Sequence, residues 1–209
     1  MKSSIVVSTS KTQFKALAYQ ENLEENLRKT ASLGFDGVEL AVRNPMDIDL
    51  PHLKQALKDS GLMVSAIGTG QAYGEDGLSL TSPSSKIRQS AIQRIKSHID
   101  FAAEIGNPII IIGLIRGTFS KDMEQGTTWD LALSAVRECA VYAKRQGIML
   151  AIEPINRYET AFLNTLEETR EFIDQLDESN VGILADTFHM NIEEPSMGSS
   201  LYDARDYLI

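Results

Sequence analysis

The sequence predicts an α/β fold, a (β/α)₈-type barrel with about six of its eight β/α units in these 209 residues. Three observations carry this. Short apolar, β-branched runs alternate strictly with longer amphipathic segments, as in a parallel sheet covered by helices. No Gly-rich phosphate or dinucleotide fingerprint follows the first strand-like run, which argues against an open nucleotide-binding sheet. Carboxylates stand at the C-terminal ends of several strand-like runs, the end where barrel enzymes hold their chemistry.

Residues 5–8 predict the first strand and residues 20–33 the helix after it. The turn Gly34-Phe35-Asp36-Gly37 leads into a second strand at 38–40, and a helix at 50–59 stops at Gly61. A third strand at 63–67 precedes a Gly-, Ser- and Thr-rich stretch, 68–85, which predicts a long loop on the carboxylate face. An amphipathic helix at 85–105 ends at Gly106. The run Ile109-Ile110-Ile111-Ile112 reads as a strand buried on both faces. A helix at 128–145, a strand at 149–152, a helix at 165–176, a strand at 181–184 and a last helix at 198–208 complete the order.

With 43% hydrophobic residues the chain has ample material for one core, so residues 1–209 are expected to form a single domain. A net charge of -9 without a basic cluster argues against nucleic acid as a partner. The longest apolar stretch, 108–112, is far too short to span a bilayer. Cys139 is the only cysteine, and no signal-peptide pattern precedes the first strand, so a cytoplasmic location is expected.

Two acidic segments stand one β/α unit apart. In Ile152-Glu153-Pro154-Ile155-Asn156-Arg157-Tyr158-Glu159 and in Leu184-Ala185-Asp186-Thr187-Phe188-His189-Met190-Asn191, an apolar run ends in a carboxylate. A buried charge costs several kcal/mol unless it is paired or holds a metal. Glu153 and Asp186 are therefore candidate ligands for Mg²⁺, Mn²⁺ or Co²⁺, which favour oxygen donors. The competing reading is that each caps the next helix or pairs with a cation such as Arg157. His189, three residues past Asp186, is a candidate for hydrogen bonding to substrate or acid/base work. Glu159 and Glu39 are candidate substrate contacts, with a solvated loop position and a pair with Arg43 as their alternatives. Arg116 is a candidate anion or substrate contact. His52, His98, Trp129 and Cys139 read as surface or packing residues.

At Glu153-Pro154-Ile155-Asn156-Arg157-Tyr158-Glu159 and at residues 186–194 the chain resembles the sugar isomerase/epimerase family with a xylose-isomerase-like TIM barrel. That family includes ketose 3-epimerases, hydroxypyruvate isomerases and inositol-pathway enzymes. Residues 112–117 further resemble the branch that includes 5-keto-L-gluconate epimerase. The resemblance implies a divalent metal held by Glu, Asp, His and Glu on four strands, with Glu153 and Asp186 matching the first two. It implies substrate contacts at Glu159 and His189, a ketose or keto-sugar acid as substrate, and Glu153 as the base that removes the proton alpha to the carbonyl. The third and fourth ligands and the second base are expected on strands seven and eight, past Ile209.

The expectation is thus a C-terminally truncated barrel that performs metal-dependent epimerisation or isomerisation through an enediolate, with impaired turnover of its own. Open sheet edges predict a homo-oligomer. A non-catalytic remnant and an inosose-type dehydratase are the alternatives. A DNA-repair endonuclease of the same barrel type is disfavoured by three histidines and the negative charge.

Overall fold

The computed structural model describes residues 2–11 and 19–209. Among them are six strands in one parallel sheet: β1 (Ser4–Ser8), β2 (Gly37–Ala41), β3 (Met63–Gly68), β4 (Ile109–Ile112), β5 (Leu150–Ile152) and β6 (Val181–Ile183). Spatial order follows chain order, β1-β2-β3-β4-β5-β6, with every pair parallel. Helices α1 (Leu23–Ser32), α2 (Leu50–Ser60), α4 (Ser85–Glu104), α5 (Gln125–Lys144) and α6 (Leu166–Leu176) return the chain between them. Every strand predicted from the sequence lies within one or two residues of its observed position.

The local chemistry explains the helix ends. Asp49 caps α2 by accepting from His52 N–H, and Gly61 closes it in the left-handed conformation (φ 69°). Thr165 and Glu168 form a reciprocal capping box on α6. The apolar stripe of α6, Leu166, Phe172, Ile173 and Leu176, is buried against the sheet. Strands β5 and β6 are buried at every residue, so they read as unbroken apolar runs.

Three elements depart from the sequence expectation. The stretch 68–85 holds a short helix, α3 (Gly70–Gly74), set directly on the end of β3. Residues after Asp186, expected as a loop, form α7 (Thr187–Glu193). The last helix, α8 (Met197–Asp203), is shorter than predicted. Beyond it the backbone turns extended and runs along β6. Ile183 N–H donates to Tyr207 O (2.8 Å), and Ile209 N–H donates to Ile183 O (3.2 Å). Gly182 permits this, since a Cβ there would lie 2.6 Å from Ile209 and 2.8 Å from Tyr207 O. Leu208 thus forms an isolated parallel bridge to Ile183 on the outer edge of β6. On the other side, Tyr19 bridges to Val7 of β1. No helix among the described residues is long and apolar enough to cross a membrane.

Candidate metal and catalytic site

A cavity of about 600 Å³ opens at the C-terminal ends of the strands, lined by Glu39, Glu153, Glu159, Asp186 and His189 among others. Five of the six candidate residues therefore meet on one wall system. Arg116 does not. It is buried (1% exposed) and its guanidinium donates to Phe162 O, Leu163 O and Gly113 O. It ties the turn after β4 to the loop after β5, and its side chain does not line the cavity. Its charge still reaches Glu153, whose proton affinity it lowers.

Two glycines make space for the carboxylates. A Cβ at Gly113 would stand 2.7 Å from Glu153 Oε2, and one at Gly68 would stand 3.1 Å from Glu39 Oε1. Glu39 lies where the β2–β3 register shifts, between Val38 and Glu39. Neither carboxylate has a hydrogen-bond partner among the described residues. The cations proposed as structural partners are engaged elsewhere: Arg157 binds Glu193, and Arg43 binds Asp76 and Glu75. Asp186 does serve partly as a cap, since Oδ1 accepts from Phe188 N–H (2.7 Å) at the start of α7. That bond satisfies one N–H in the first turn of α7.

The electrostatics follow from this crowding. Burial first, then the Asp186 charge, pushes Glu39 up to about 7. Burial, then Glu39 and Asp186, pushes Glu153 up to about 7 as well. Carboxylates without cations, in a partly dry mouth, hold protons near neutrality.

His189 is buried (8% exposed), with Nε2 3.8 Å from Asp186 Oδ2. One donor atom each of Glu153, Asp186 and His189 lies within 4.8 Å of the others, a grouping able to surround a cation. Asn156 decides how His189 takes part. Its Oδ1 accepts from Tyr158 N–H (3.0 Å), so its Nδ2 faces Glu159 Oε1 (2.8 Å) and His189 Nδ1 (2.8 Å). Nδ1 of His189 therefore accepts, and the ring proton sits on Nε2, facing Asp186. In this tautomer His189 presents an N–H to the cavity, which leaves the two carboxylates as the oxygen donors. Sequence reasoning assigned no role to Asn156, although it stands between Glu153 and Glu159. It also passed over Gln71 of α3, which lines the cavity from a stretch read as loop.

The packing residues sit as expected. Cys139 is buried, and its thiol is pushed up to about 12 by burial. His98 bridges Arg94 O and Val42 O. Trp129 stacks edge-on against Phe162 and Phe172.

The chain is similar to known proteins in sequence and in fold. A ketose 3-epimerase of Arthrobacter globiformis is 34% identical over 191 residues, covering 90% of this chain and 64% of its own. The chain thus spans just under two thirds of the length of that curated relative. The crystal structure of an Escherichia coli 3-keto-D-glucoside 4-epimerase superposes with a TM-score of 0.82 at 26% identity, over 98% of this chain and 76% of that one. A D-psicose 3-epimerase of Clostridium cellulolyticum with D-tagatose gives 0.80 at 27% identity, over 100% and 71%. The family model described as a xylose isomerase-like TIM barrel matches residues 27–208. On that match the chain belongs to the xylose isomerase-like TIM barrel family.

Proposed function

We propose that this chain carries the metal-binding and first-base half of a divalent-metal-dependent ketose epimerase. The observation that carries the reading is the convergence of Glu39, Glu153 and Asp186 on one cavity with no cation hydrogen-bonded to Glu39 or Glu153. The donor set fits a hard divalent cation: two carboxylates lie within reach of one position, and repulsion among them is relieved by positive charge. Glu153 and Asp186 would hold it. Bound there, Mn²⁺, Mg²⁺ or Co²⁺ supplies Lewis acidity toward a ketose carbonyl and its neighbouring hydroxyl.

The chain's own groups do the rest. Glu153 takes the proton from the carbon alpha to the carbonyl as the general base. His189 donates its Nε2 proton in a hydrogen bond to the substrate oxygen where negative charge grows. Glu159, oriented by Asn156, accepts a substrate hydroxyl, and Glu39 faces the same cavity as a further hydroxyl contact. Arg116 acts by position, fixing the backbone around the turn after β4. Inversion of a stereocentre needs a second base on the opposite face of the planar intermediate. The resemblance to ketose epimerases implies that base on a later strand, past Ile209.

The test is Mn²⁺ titration by calorimetry, followed by an assay for interconversion of D-fructose and D-psicose, with a version extended to the relatives' full length alongside. One bound equivalent of Mn²⁺, lost in Glu153→Ala and in Asp186→Ala, supports the reading. Absence of Mn²⁺ binding in both lengths sinks it. A homo-oligomer that covers the sheet edges belongs to the same reading, and a clean monomer in light scattering would count against that part.

A further inference from the structure

Helix α7 carries the histidine of the site, and the loop after β5 grips it at two points. Near its start, Asn156 Nδ2 faces His189 Nδ1 (2.8 Å). At its end, the next loop residue, Arg157, takes hold of Glu193. The Arg157 backbone N–H donates to Glu193 Oε1 (2.6 Å), Nε donates to Oε1 and Oε2 (2.9 and 3.0 Å), and Nη2 donates to Oε2 (2.7 Å). Both carboxylate oxygens are thus held in a planar fork, which fixes direction as well as distance. The Glu193 side chain is 4% exposed and that of Arg157 61%. The carboxylate is the buried partner, and loss of the arginine would leave its charge unpaired.

The next residue shows how α7 is fastened to the body of the protein. Glu194 accepts from Leu166 N–H (2.8 Å) at the start of α6 and from Ser200 Oγ (2.7 Å) on α8. Glu193 adds a tie in a different direction, to the loop that follows Glu153 and leads to Glu159. A helix of seven residues is marginal by itself, so its direction is set by what holds its ends.

We propose that Arg157 and Glu193 are positioning residues for His189: their ion pair sets the direction in which α7 presents the ring to the sugar oxygen. The inference rests on the ketose reading above and deepens it. Glu153 directly follows β5 and Asp186 stands three residues past β6, so the strands place the proposed metal donors. The ion pair acts on the histidine, and through it on the sugar.

The experiment measures Mn²⁺ binding, and D-fructose binding to the Mn²⁺-loaded protein, by calorimetry. Arg157→Gln strips the buried carboxylate of its guanidinium and should weaken D-fructose by about tenfold. Glu193→Gln keeps an acceptor for the backbone N–H and leaves only an exposed guanidinium unpaired. It should weaken D-fructose by about threefold, and it serves if Arg157→Gln does not fold. Mn²⁺ affinity should stay within about twofold in both. Each substitution is then repeated in a His189→Ala background. A positioning role predicts no further loss of D-fructose affinity there, whereas a merely structural role predicts the same loss as in the parent. Equal losses with and without His189, or D-fructose affinity unchanged in both single variants, overturn this inference and leave the ketose reading intact. A parent protein that binds Mn²⁺ but not D-fructose overturns both.

Discussion

Two groups of acidic side chains treat charge in opposite ways. On the outer loop past α3, Asp76 accepts from Arg43 Nε and from Arg94 Nη1, and Glu75 pairs with Arg43. Burial alone would raise Asp76, but those bonds hold it below the usual carboxylate range. At the mouth, Glu39 and Glu153 have space cleared by glycines and no cation hydrogen-bonded to them. Both are pushed up to about 7. The loop uses charge to hold itself together. The mouth holds charge at a cost to stability, which is what a site waiting for a cation or a proton does.

The largest expected effect separates the two groups by ligand. Glu153→Ala and Asp186→Ala should each weaken Mn²⁺ binding by about 100-fold or more, roughly 2.7 kcal/mol, in calorimetry. Asp76→Ala should leave Mn²⁺ affinity unchanged. A loss shared by all three would mean that the cation is not held at the mouth.

The next effect separates them by stability, and the sign can be worked out. A carboxyl at about 7 in the folded protein and 4.5 as the ordinary value is protonated in the native state between those pH values. Above 7 both states are ionised, and the native state bears the full penalty. Metal-free Glu153→Gln, a mimic of the protonated acid, should therefore be more stable than the parent by about 2 kcal/mol at pH 8. The gain should shrink as pH falls through 7 and vanish near the ordinary value of 4.5, as read from urea midpoints. Saturating Mn²⁺ should reverse it, because only the parent then gains from the ligand. A destabilised Glu153→Gln at pH 8 would remove the case for a strained mouth.

Asp76→Asn should move the other way and by less, losing about 1 kcal/mol at pH 7, since solvent screens its Arg43 end. Its folded-state value is lowered, so the stability it confers is present above its ordinary value of 3.8 and is lost as pH falls through the folded-state value. Opposite pH trends in one melting series would confirm that the two groups do opposite work.

How far these features were legible in the sequence depends on the scale of the interaction. The strands were readable because burial on both faces makes Ile109–Ile112 and Leu150–Ile152 unbroken apolar runs. Glu153 and Asp186 were readable because a carboxylate ending such a run has no packing use. Helix α7 was not readable as a helix, because it depends on the Asp186 cap and on Arg157 gripping Glu193 from another element. Arg116 was misplaced for a related reason. Its partners are the carbonyls of Phe162 and Leu163, 46 and 47 residues away, and no local pattern announces a backbone acceptor. Asn156 is a neutral amide, whose importance lies entirely in which atoms it faces.

Asn156 offers the finest division between the two kinds of work, because it touches both Glu159, the proposed substrate contact, and His189 without touching Glu153 or Asp186, the proposed metal donors. Asn156→Ala removes the donors to Glu159 and His189 and frees the His189 ring to rotate or to exchange its tautomer. The Mn²⁺ affinity should stay within about twofold, since neither Glu153 nor Asp186 loses a partner. Ketose affinity should fall by about three- to tenfold, the worth of one orienting hydrogen bond. A histidine that ligates through Nε2 would behave differently. Loss of Asn156 would then release Nδ1 to carry the proton, favour the ligating tautomer and tighten Mn²⁺. The direction of the Mn²⁺ change therefore reports which nitrogen of His189 holds the proton, and so whether the histidine serves the cation or the sugar.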